Sequence, residues 1–275
     1  MNRFASGPKR NYYGKGDVIV YRLNRSGRIV FGANVQLLVY GESFWPTYTT
    51  GDNTQLVATD SMKNFIQREA MNFEGSDLLE FCRFLAQTFL AKYPHTEGIQ
   101  VSAEEIPYEP LSEGSVAFQP GGPERATSRI EIMRKSESLA VLEQVCGFRN
   151  FRLLRLSGSA FQGFIRDEYT TLPDITNRPL YMWLDLEWGC SGEVVAPASV
   201  RTVVQNIFQQ FESGSIQQLI YQIGSKLLHD FASISEVRLE ANNRTWDTIA
   251  EQGDMLDVYT DPRPPFGCLG LTLRR

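Results

Sequence analysis

The hydrophobic positions in the first half of the chain follow two periodicities. Runs rich in Val, Leu and Tyr predict three strands, over Val18–Leu23, Asn34–Tyr40 and Ile99–Tyr108. A helical spacing predicts a short helix that ends near Ala70, with Thr59 as its N-cap and Asp60 in its first turn. The same spacing predicts a longer helix over Asp77–Tyr93, whose apolar residues fall on one face.

The second half repeats this order of elements. Strands are predicted over Phe151–Leu156, Pro179–Trp188 and Glu236–Ala241, and helices over Ser199–Phe211 and Ser215–Phe231. Strand, strand, helix, helix, strand therefore occurs twice, which indicates an internal duplication. We place the two modules at residues 12–145 and 146–275, with the seam in the Gly-, Pro- and Ser-rich stretch from Pro110 to about Cys146.

Each module would carry its helices on one face of an antiparallel sheet, which is an α+β arrangement. The other face of the sheet then needs a cover. Closing sheets from several subunits into a barrel would cover that face and would also remove the exposed strand edges. We therefore expect the chain to form an oligomer.

The charge and hydropathy of the chain limit which binding partners and which cellular location we expect. The chain has 27 Lys and Arg against 32 Asp and Glu, a net charge of −5, so we expect no nucleic-acid partner. No apolar run is long enough to span a membrane, and the first residues lack the apolar stretch of a secretory signal. The final residues, TLRR, lack a peroxisomal Ser-Lys-Leu ending. A cytoplasmic location is the expectation.

Cysteine and histidine usage limits the chemistry. The four cysteines lie far apart without a CxxC pair, and the two histidines, His95 and His229, have no metal-binding spacing, so no metal is expected. One histidine would suffice for a hydrolase triad. However, neither a GxSxG nucleophile motif nor a Gly-rich nucleotide loop is present.

Two helix starts could hold an anionic or carbonyl-rich ligand, because their main-chain N–H groups lack helical partners. One is Ala58–Asp60, and the other is Ser215–Gln218, which fits a capping box; both are equally consistent with ordinary capped helices. Arg178 precedes Pro179, which favours an extended backbone at a strand start. Arginine suits bidentate recognition of planar acceptor edges, although a surface role explains it as well.

The sequence leaves two roles open for three carboxylates. Asp167, Glu168 and Asp174 form either an acid/base pair or the solvated charges of a turn. Phe161 just ahead of them is either a core residue or a stacking platform.

Long blocks of sequence resemble a known family. YGKGDVIVYRL occupies residues 13–23, YTTGDNTQLVATDSMKN residues 48–64, and SAFQGFIRDEYTTL residues 159–172. Ser-Ile-Gln starts a helix at residues 215–217, and Asn243 follows the last predicted strand. In order and spacing these blocks resemble the signatures of the urate oxidase (uricase) family across nearly the whole chain.

The resemblance implies a tunnelling fold, with two tandem modules per subunit and a homotetramer around a tunnel. It also implies oxidation of urate by O2 and water to 5-hydroxyisourate and H2O2. No metal or organic cofactor would take part, and O2 would be the co-substrate.

Binding roles follow from the same resemblance. Arg178 and Gln217 would grip one edge of urate, and Phe161 would stack on the purine plane. Main-chain N–H groups near Asp60 and Ile216 would hold the remaining polar atoms. The Thr59–Asp60 segment would come from a neighbouring subunit, so the site would exist only in the oligomer.

Catalytic roles are implied for four residues. Asn243 would lie above the ring where O2 or water binds, and Lys15 and Thr59 would form a proton relay. Many family members have a histidine two residues after the asparagine, where this chain has Thr245. Thr245 or an ordered water would then complete the relay. We expect activity to survive, with an altered pH dependence.

Two other functions compete with this one. A purine-binding protein that kept the fold but lost the relay would bind urate without consuming O2; the threonine at 245 favours it, and the presence of Lys15 and Thr59 opposes it. A pterin enzyme of the same fold would generally use a glutamate anchor and often zinc. The Arg178 and Gln217 pair and the lack of ligand clusters oppose that alternative.

Overall fold

The computed structural model describes residues 11–27, 29–136, 138–253 and 256–275. The chain forms two compact units, with the boundary between Cys146 and Gly147.

The first unit contains a sheet with two long helices. In chain order its elements are β1 (Tyr12–Asn24), β2 (Ile29–Tyr40), α1 (Trp45–Thr49), α2 (Thr59–Glu69), α3 (Leu78–Lys92), β3 (Gly98–Glu105), β4 (Tyr108–Pro110), β5 (Phe118–Pro120), β6 (Arg125–Lys135) and the beginning of β7 (Ser138–Phe161). The main strands follow the order β1-β2-β3-β6 with antiparallel pairing, and β4 and β5 form a separate two-stranded ribbon. Helix α3 packs on β3 and β6, and α2 packs on β1.

Strand β1 shows why one face of this sheet is buried. Val18 and Val20 point into the core, whereas Ile19, Tyr21 and Leu23 between and after them are exposed. Side chains alternate between the two faces of a strand, so β1 presents a row of apolar side chains on the face away from the core.

The second unit has the same order of main elements. They are the remainder of β7, then β8 (Ile175–Cys190), α4 (Pro197–Gln210), α5 (Ile216–Asp230), β9 (Ile234–Thr245), β10 (Thr248–Gln252), β11 (Leu256–Tyr259) and β12 (Arg263–Arg274). The main strands follow the order β7-β8-β9-β12, and the β8–β9 and β9–β12 pairs are antiparallel. Helix α5 packs on β9 and β12 and against α4, and β10 pairs with β11.

The register of β8 decides which side chains face the helices. Its even-numbered residues from Leu180 to Trp188 are fully buried, and the odd-numbered residues point the other way. Arg178 belongs to the even series, and Asn243 is the direct partner of Met182 across the β8–β9 pair. Arg178 and Asn243 therefore lie on the helix-covered face.

The structure confirms the type of each predicted element, but it contains strands that the sequence did not predict. The α+β class with antiparallel strands is confirmed, and every predicted strand and helix has an observed counterpart. The stretch from Pro110 to Cys146 is not a simple seam, because it contains β5, β6 and the beginning of β7. Strand β12 was also missing from the prediction.

The local amino-acid composition explains why the sequence does not predict β6 and β12. Strand β6 places the charged residues Arg129 and Glu131 next to buried Ile130 and Ile132. Glu131 is buried as well, and Arg129 pairs with Glu143 of β7 at 3.1 Å. The charged residue Arg129 fits into the sheet because Glu143 on the neighbouring strand pairs with it. The amino-acid sequence alone does not show which residue is this partner. Strand β12 has two prolines directly after its first residue, Arg263, and contains two glycines, and both residue types are signals of turns.

None of the helices among the described residues is both long enough and apolar enough to cross a membrane.

Candidate active site

Three chain segments are fastened together at one end of the second unit. The N–H of Gly158, near the end of β7, donates to Oδ1 of Asn177 in β8 at 2.7 Å. The N–H of Ser213, just ahead of α5, donates to the carbonyl of Gly158 at 3.0 Å, and its own carbonyl accepts from Ala160 at 2.9 Å. The end of β7, the start of β8 and the start of α5 therefore meet.

Helix α5 begins at the predicted capping box. The hydroxyl of Ser215 accepts from the N–H of Gln218 at 3.1 Å, as predicted. The side chain of Gln218 reaches back to the N–H of Gly214 at 2.8 Å, one residue before the N-cap. The cap bond takes up only the N–H of Gln218, so the N–H groups of Ile216 and Gln217 lie at the positive end of the helix dipole.

Replacing Ser215 with alanine should lower the free energy of unfolding by about 1 kcal/mol, the usual loss for an N-cap serine. Urea denaturation followed by circular dichroism measures the change. Ser225→Ala, in the interior of the same helix, is the matched control and should be neutral or stabilising. Equal losses in the two variants would contradict a capping role for Ser215.

Arg178 is a cation without a counter-charge in the described part of the chain. The side chain is partly buried, its Nε is buried without an acceptor, and no carboxylate among the described residues pairs with it. Burial lowers the pKa of this guanidinium, which remains protonated at neutral pH. A desolvated guanidinium at the meeting point of these segments is suited to bind an anion or a carbonyl edge.

Phe161 ends β7 and stacks on Phe164, with ring centroids 4.9 Å apart and ring planes inclined by 10°. The loop that follows is closed by Asp174, which accepts from the N–H of Gly163 at 3.2 Å and pairs with Arg166 at 3.0 Å. These two contacts hold the pKa of Asp174 below its usual value. Asp174 therefore fixes the loop next to Phe161.

The neighbouring carboxylate Asp167 also stabilises the loop. It accepts from the N–H of Tyr169 and the hydroxyl of Thr170, both at 3.0 Å, and is exposed together with Glu168. Of the two interpretations left open by the sequence, this geometry favours solvated turn charges over an acid/base pair.

Asn243 lies in β9 between two other strands of the second unit. It pairs with Met182 on one side and with Gly267 of β12 on the other, so its side chain has a residue without a side chain as one neighbour. Thr245 follows two residues later and pairs with Arg263 through the backbone. The side chain of Thr245 lies outside the described part of the structure.

Arg155 is a residue of this region that the sequence analysis missed. Its Nη1 donates to the carbonyls of Phe208 and Phe211, and its Nη2 donates to the carbonyl of Gly158 and the hydroxyl of Ser213. The guanidinium thus ties the C-terminal turn of α4 and the entry to α5 to strand β7. No sequence signal could have revealed this role, because three of the four acceptors are main-chain carbonyls.

Replacing Arg155 with methionine should lower the free energy of unfolding by about 2–4 kcal/mol, because it leaves several partly buried acceptors without donors. The same change should raise the KM for substrate, since the start of α5 and the end of β7 lose their common tie. Urea denaturation and steady-state kinetics measure the two effects. Arg166→Met removes exposed contacts, namely the ion pair to Asp174, a long hydrogen bond to the carbonyl of Leu172 and a contact with the Phe164 ring, and should be much less destabilising. A fully stable Arg155→Met variant would contradict the positioning role.

Lys15 lies in the first unit, beside a bulge in β1. A side chain at Gly14 would place its Cβ 1.9 Å from the carbonyl oxygen of Leu37, so only glycine permits the close strand approach there. Between Lys15 and Val18 the register with β2 shifts, and Asp17 adopts a φ of 58°. Bulges of this kind change the direction of the side chains next to them.

The beginning of α2 lies close to Lys15, and one prediction there is wrong. Ala58, not Thr59, is the N-cap, and no side chain caps this end, because Thr59 is already the first helical residue. Asp60 is in the first turn as predicted and accepts from Lys63 at 2.5 Å and Asn64 at 3.0 Å. Its pKa is lowered chiefly by Lys63, with a smaller contribution from Lys15.

The structure thus gathers the predicted residues into two groups. Phe161 and Arg178 directly follow Ala160 and Asn177, whose hydrogen bonds link β7 to the entry of α5 and β8 to β7, and Asn243 shares a sheet face with Arg178. In the first unit, Asp60 follows Thr59 at the start of α2 and lies within electrostatic range of Lys15. Among the described residues there is no group of three or more His, Cys, Asp or Glu side chains that could hold a metal ion.

Known proteins resemble this chain over nearly its whole length. A family model described as uricase matches residues 11–131 and 144–269. The uric acid degradation bifunctional protein of Bacillus sp. (strain TB-90) is 39% identical over 93% of this chain, and the chain spans only 58% of the length of that relative. A uricase of Halalkalicoccus jeotgali is 35% identical, with 92% of this chain and 94% of the relative aligned.

A solved structure agrees with these sequence relatives. The crystal structure of urate oxidase from Bacillus sp. TB-90 superposes with a TM-score of 0.86 at 37% identity, covering 96% of this chain and 100% of the other. The resemblance seen in the signature blocks is confirmed by this fold and by the family match. The chain belongs to the uricase family.

Proposed function

We propose that this chain is a urate oxidase. It would convert urate, O2 and water to 5-hydroxyisourate and H2O2. Family membership supports this activity, and the observation that carries it is the partly buried guanidinium of Arg178, which has no carboxylate partner among the described residues and directly follows Asn177, the residue that joins β8 to β7. That arrangement matches a planar anion whose edge carries carbonyl oxygens and ring nitrogens.

The residues of the second unit would bind the purine. Arg178 would form paired hydrogen bonds to one edge of urate, assisted by the amide of Gln217. The main-chain N–H of Ile216 would donate to a further oxygen at the helix start. The ring of Phe161, which has Phe164 against one face, would stack on urate with its other face.

The residues of the first unit would handle protons. Deprotonated urate is electron-rich enough to pass two electrons to O2, so the protein must remove a proton and hold O2 against one face of the ring. We propose Lys15 and Thr59 for the proton relay, and Asn243 for the position of O2 or water. The N–H groups at the uncapped start of α2, near Asp60, would complete the binding of urate. No metal or organic cofactor is part of this proposal.

We further propose that the two units are tandem tunnelling-fold modules and that four chains assemble around a tunnel. The exposed apolar row on β1 supports a covered sheet face in the assembly. In this arrangement the Thr59–Asp60 segment would complete the site of a neighbouring subunit. Activity per chain should therefore fall when the chain is diluted below the dissociation constant of the oligomer.

Anaerobic titration with urate, followed by admission of O2, tests the activity. A urate oxidase binds urate in the absence of O2. Once O2 is admitted, it oxidises the bound urate and releases H2O2. The competing possibility of a purine-binding protein, which the threonine at position 245 favours, predicts a urate complex that stays unchanged in air.

A further inference from the structure

The face of the second unit's sheet that points away from the helices carries two kinds of arginine. Near one end, every arginine has a carboxylate partner. Arg149 pairs with Asp185 at 3.0 Å and with Glu187 at 2.7 Å, while Arg238 and Arg274 both pair with Glu236. This ladder of ion pairs crosses four strands and balances its own charges.

Further along the same face, two arginines have an indole in place of a carboxylate. The guanidinium carbon of Arg152 lies 4.1 Å from the centre of the Trp183 ring, and that of Arg244 lies 3.8 Å from it. Arg244 also lies 4.0 Å from the Phe266 ring centre. Neither arginine pairs with a carboxylate anywhere in the described ranges, and the nearest acceptor for Arg152 is Oδ1 of Asn150, 3.2 Å from its Nε.

The two guanidinium groups are close enough to repel one another. They can be no further apart than the sum of their distances to the shared ring, which is about one Debye length, ~8 Å, at physiological ionic strength. Cation–π contact with Trp183 stabilises each of them but leaves the net positive charge in place. An anion between or beside them would neutralise that charge.

Two buried donors at this position also have no acceptor. Nε1 of Trp183 and Nε of Arg244 are both buried, and neither finds a hydrogen-bond partner among the described residues. Indole and guanidinium groups can only donate. Leaving such a donor unsatisfied costs about 1–3 kcal/mol each, so an acceptor that reached either donor after a small side-chain shift would stabilise the cluster.

We propose that Arg152, Trp183 and Arg244 form a binding site for a small oxyanion such as inorganic phosphate or sulfate. Strands β7, β8 and β9 each contribute one residue, and Phe266 of β12 covers the Arg244 side. The site lies on the opposite face of the sheet from Arg178. It does not depend on the chemistry proposed for urate.

Titration of the purified protein with inorganic phosphate tests the site, with chloride adjusted to hold the ionic strength constant. Calorimetry should detect binding, and phosphate should raise the midpoint of thermal unfolding. Arg152→Gln and Arg244→Gln should each weaken phosphate binding at least tenfold. Arg274→Gln, on the same face but paired with Glu236, is the matched control and should bind phosphate like the parent protein.

Two further variants locate the bound phosphate. Arg178→Gln should keep phosphate binding, which separates this site from the urate site. Trp183→Phe keeps an aromatic ring but lacks the indole N–H, so it should weaken binding and remove any phosphate-dependent change in the fluorescence of Trp183. The exposed position of Arg152 makes Arg152→Gln informative even where Arg244→Gln fails to fold.

Phosphate binding that is absent, or equal in the parent protein and the Arg152→Gln variant, would overturn the proposal. A third outcome would overturn it as well. Loss of oligomer in Arg152→Gln and Arg244→Gln, without phosphate binding by the parent protein, would assign the acceptor to a carboxylate of a second copy of the chain.

Discussion

Replacing Arg178 with glutamine should lower kcat/KM for urate by at least ~100-fold, since removing one member of a buried charge-assisted pair typically costs about 3–5 kcal/mol. The variant should fold normally. The guanidinium is partly desolvated and has no carboxylate partner in the described residues, so its removal should not lower the free energy of unfolding. Steady-state kinetics and urea denaturation measure the two quantities.

Two variants serve as controls for Arg178. Arg178→Lys keeps the charge but lacks the planar fork of donors, so its activity should lie between those of the parent and Arg178→Gln. Arg238→Gln removes an arginine that already has carboxylate partners on the other sheet face, and its kinetics should match the parent. Unchanged kcat/KM in Arg178→Gln would remove Arg178 from the urate site.

Replacing Lys15 with methionine should lower kcat by roughly 10²–10⁴-fold, the usual contribution of a positioned general acid or base. KM should change little, because the residues proposed to hold the purine edge lie in the second unit. Lys15→Arg should be as inactive as Lys15→Met, since arginine keeps the charge but cannot give up its proton.

Lys226→Met is the control for Lys15. Lys226 is exposed near the end of α5, where it pairs with Asp230 at 2.7 Å, so its replacement should leave kcat unchanged. A Lys15→Met variant with normal kcat, or one in which only KM rises, would contradict the relay.

Some residues of the site could be predicted from the sequence, and others could not. Ser215 and Gln218 could be placed at a helix start because a capping box depends only on local spacing. Arg178 could be placed on a strand because Pro179 restricts its backbone. That no carboxylate in the described part of the chain pairs with Arg178 could not be predicted, because this depends on every segment that folds around it.

Other features depend on contacts that lie far apart in sequence. Arg155 is joined by hydrogen bonds to residues more than 50 positions away, mostly through main-chain carbonyls. The sequence favours Thr59 over Ala58 as the N-cap, because serine and threonine often occupy that position. The backbone turns into the helix at Ala58 instead, where the N–H of Val57 donates to the Tyr13 hydroxyl of β1 at 2.9 Å.

This difference at α2 has a functional meaning within the proposal. An alanine N-cap provides no side-chain acceptor for the first N–H groups of the helix. At α5, Ser215 takes up only the N–H of Gln218. Both helix starts therefore keep main-chain donors for a ligand, and the one at α2 keeps more of them.

The most direct test of the central claim is the stoichiometry of O2 uptake by the purified chain with urate, with and without a strong chelator. The account predicts one O2 consumed and one H2O2 released for each urate, at a rate that the chelator does not change. Tight binding of urate without O2 uptake, or turnover abolished by the chelator, would contradict it.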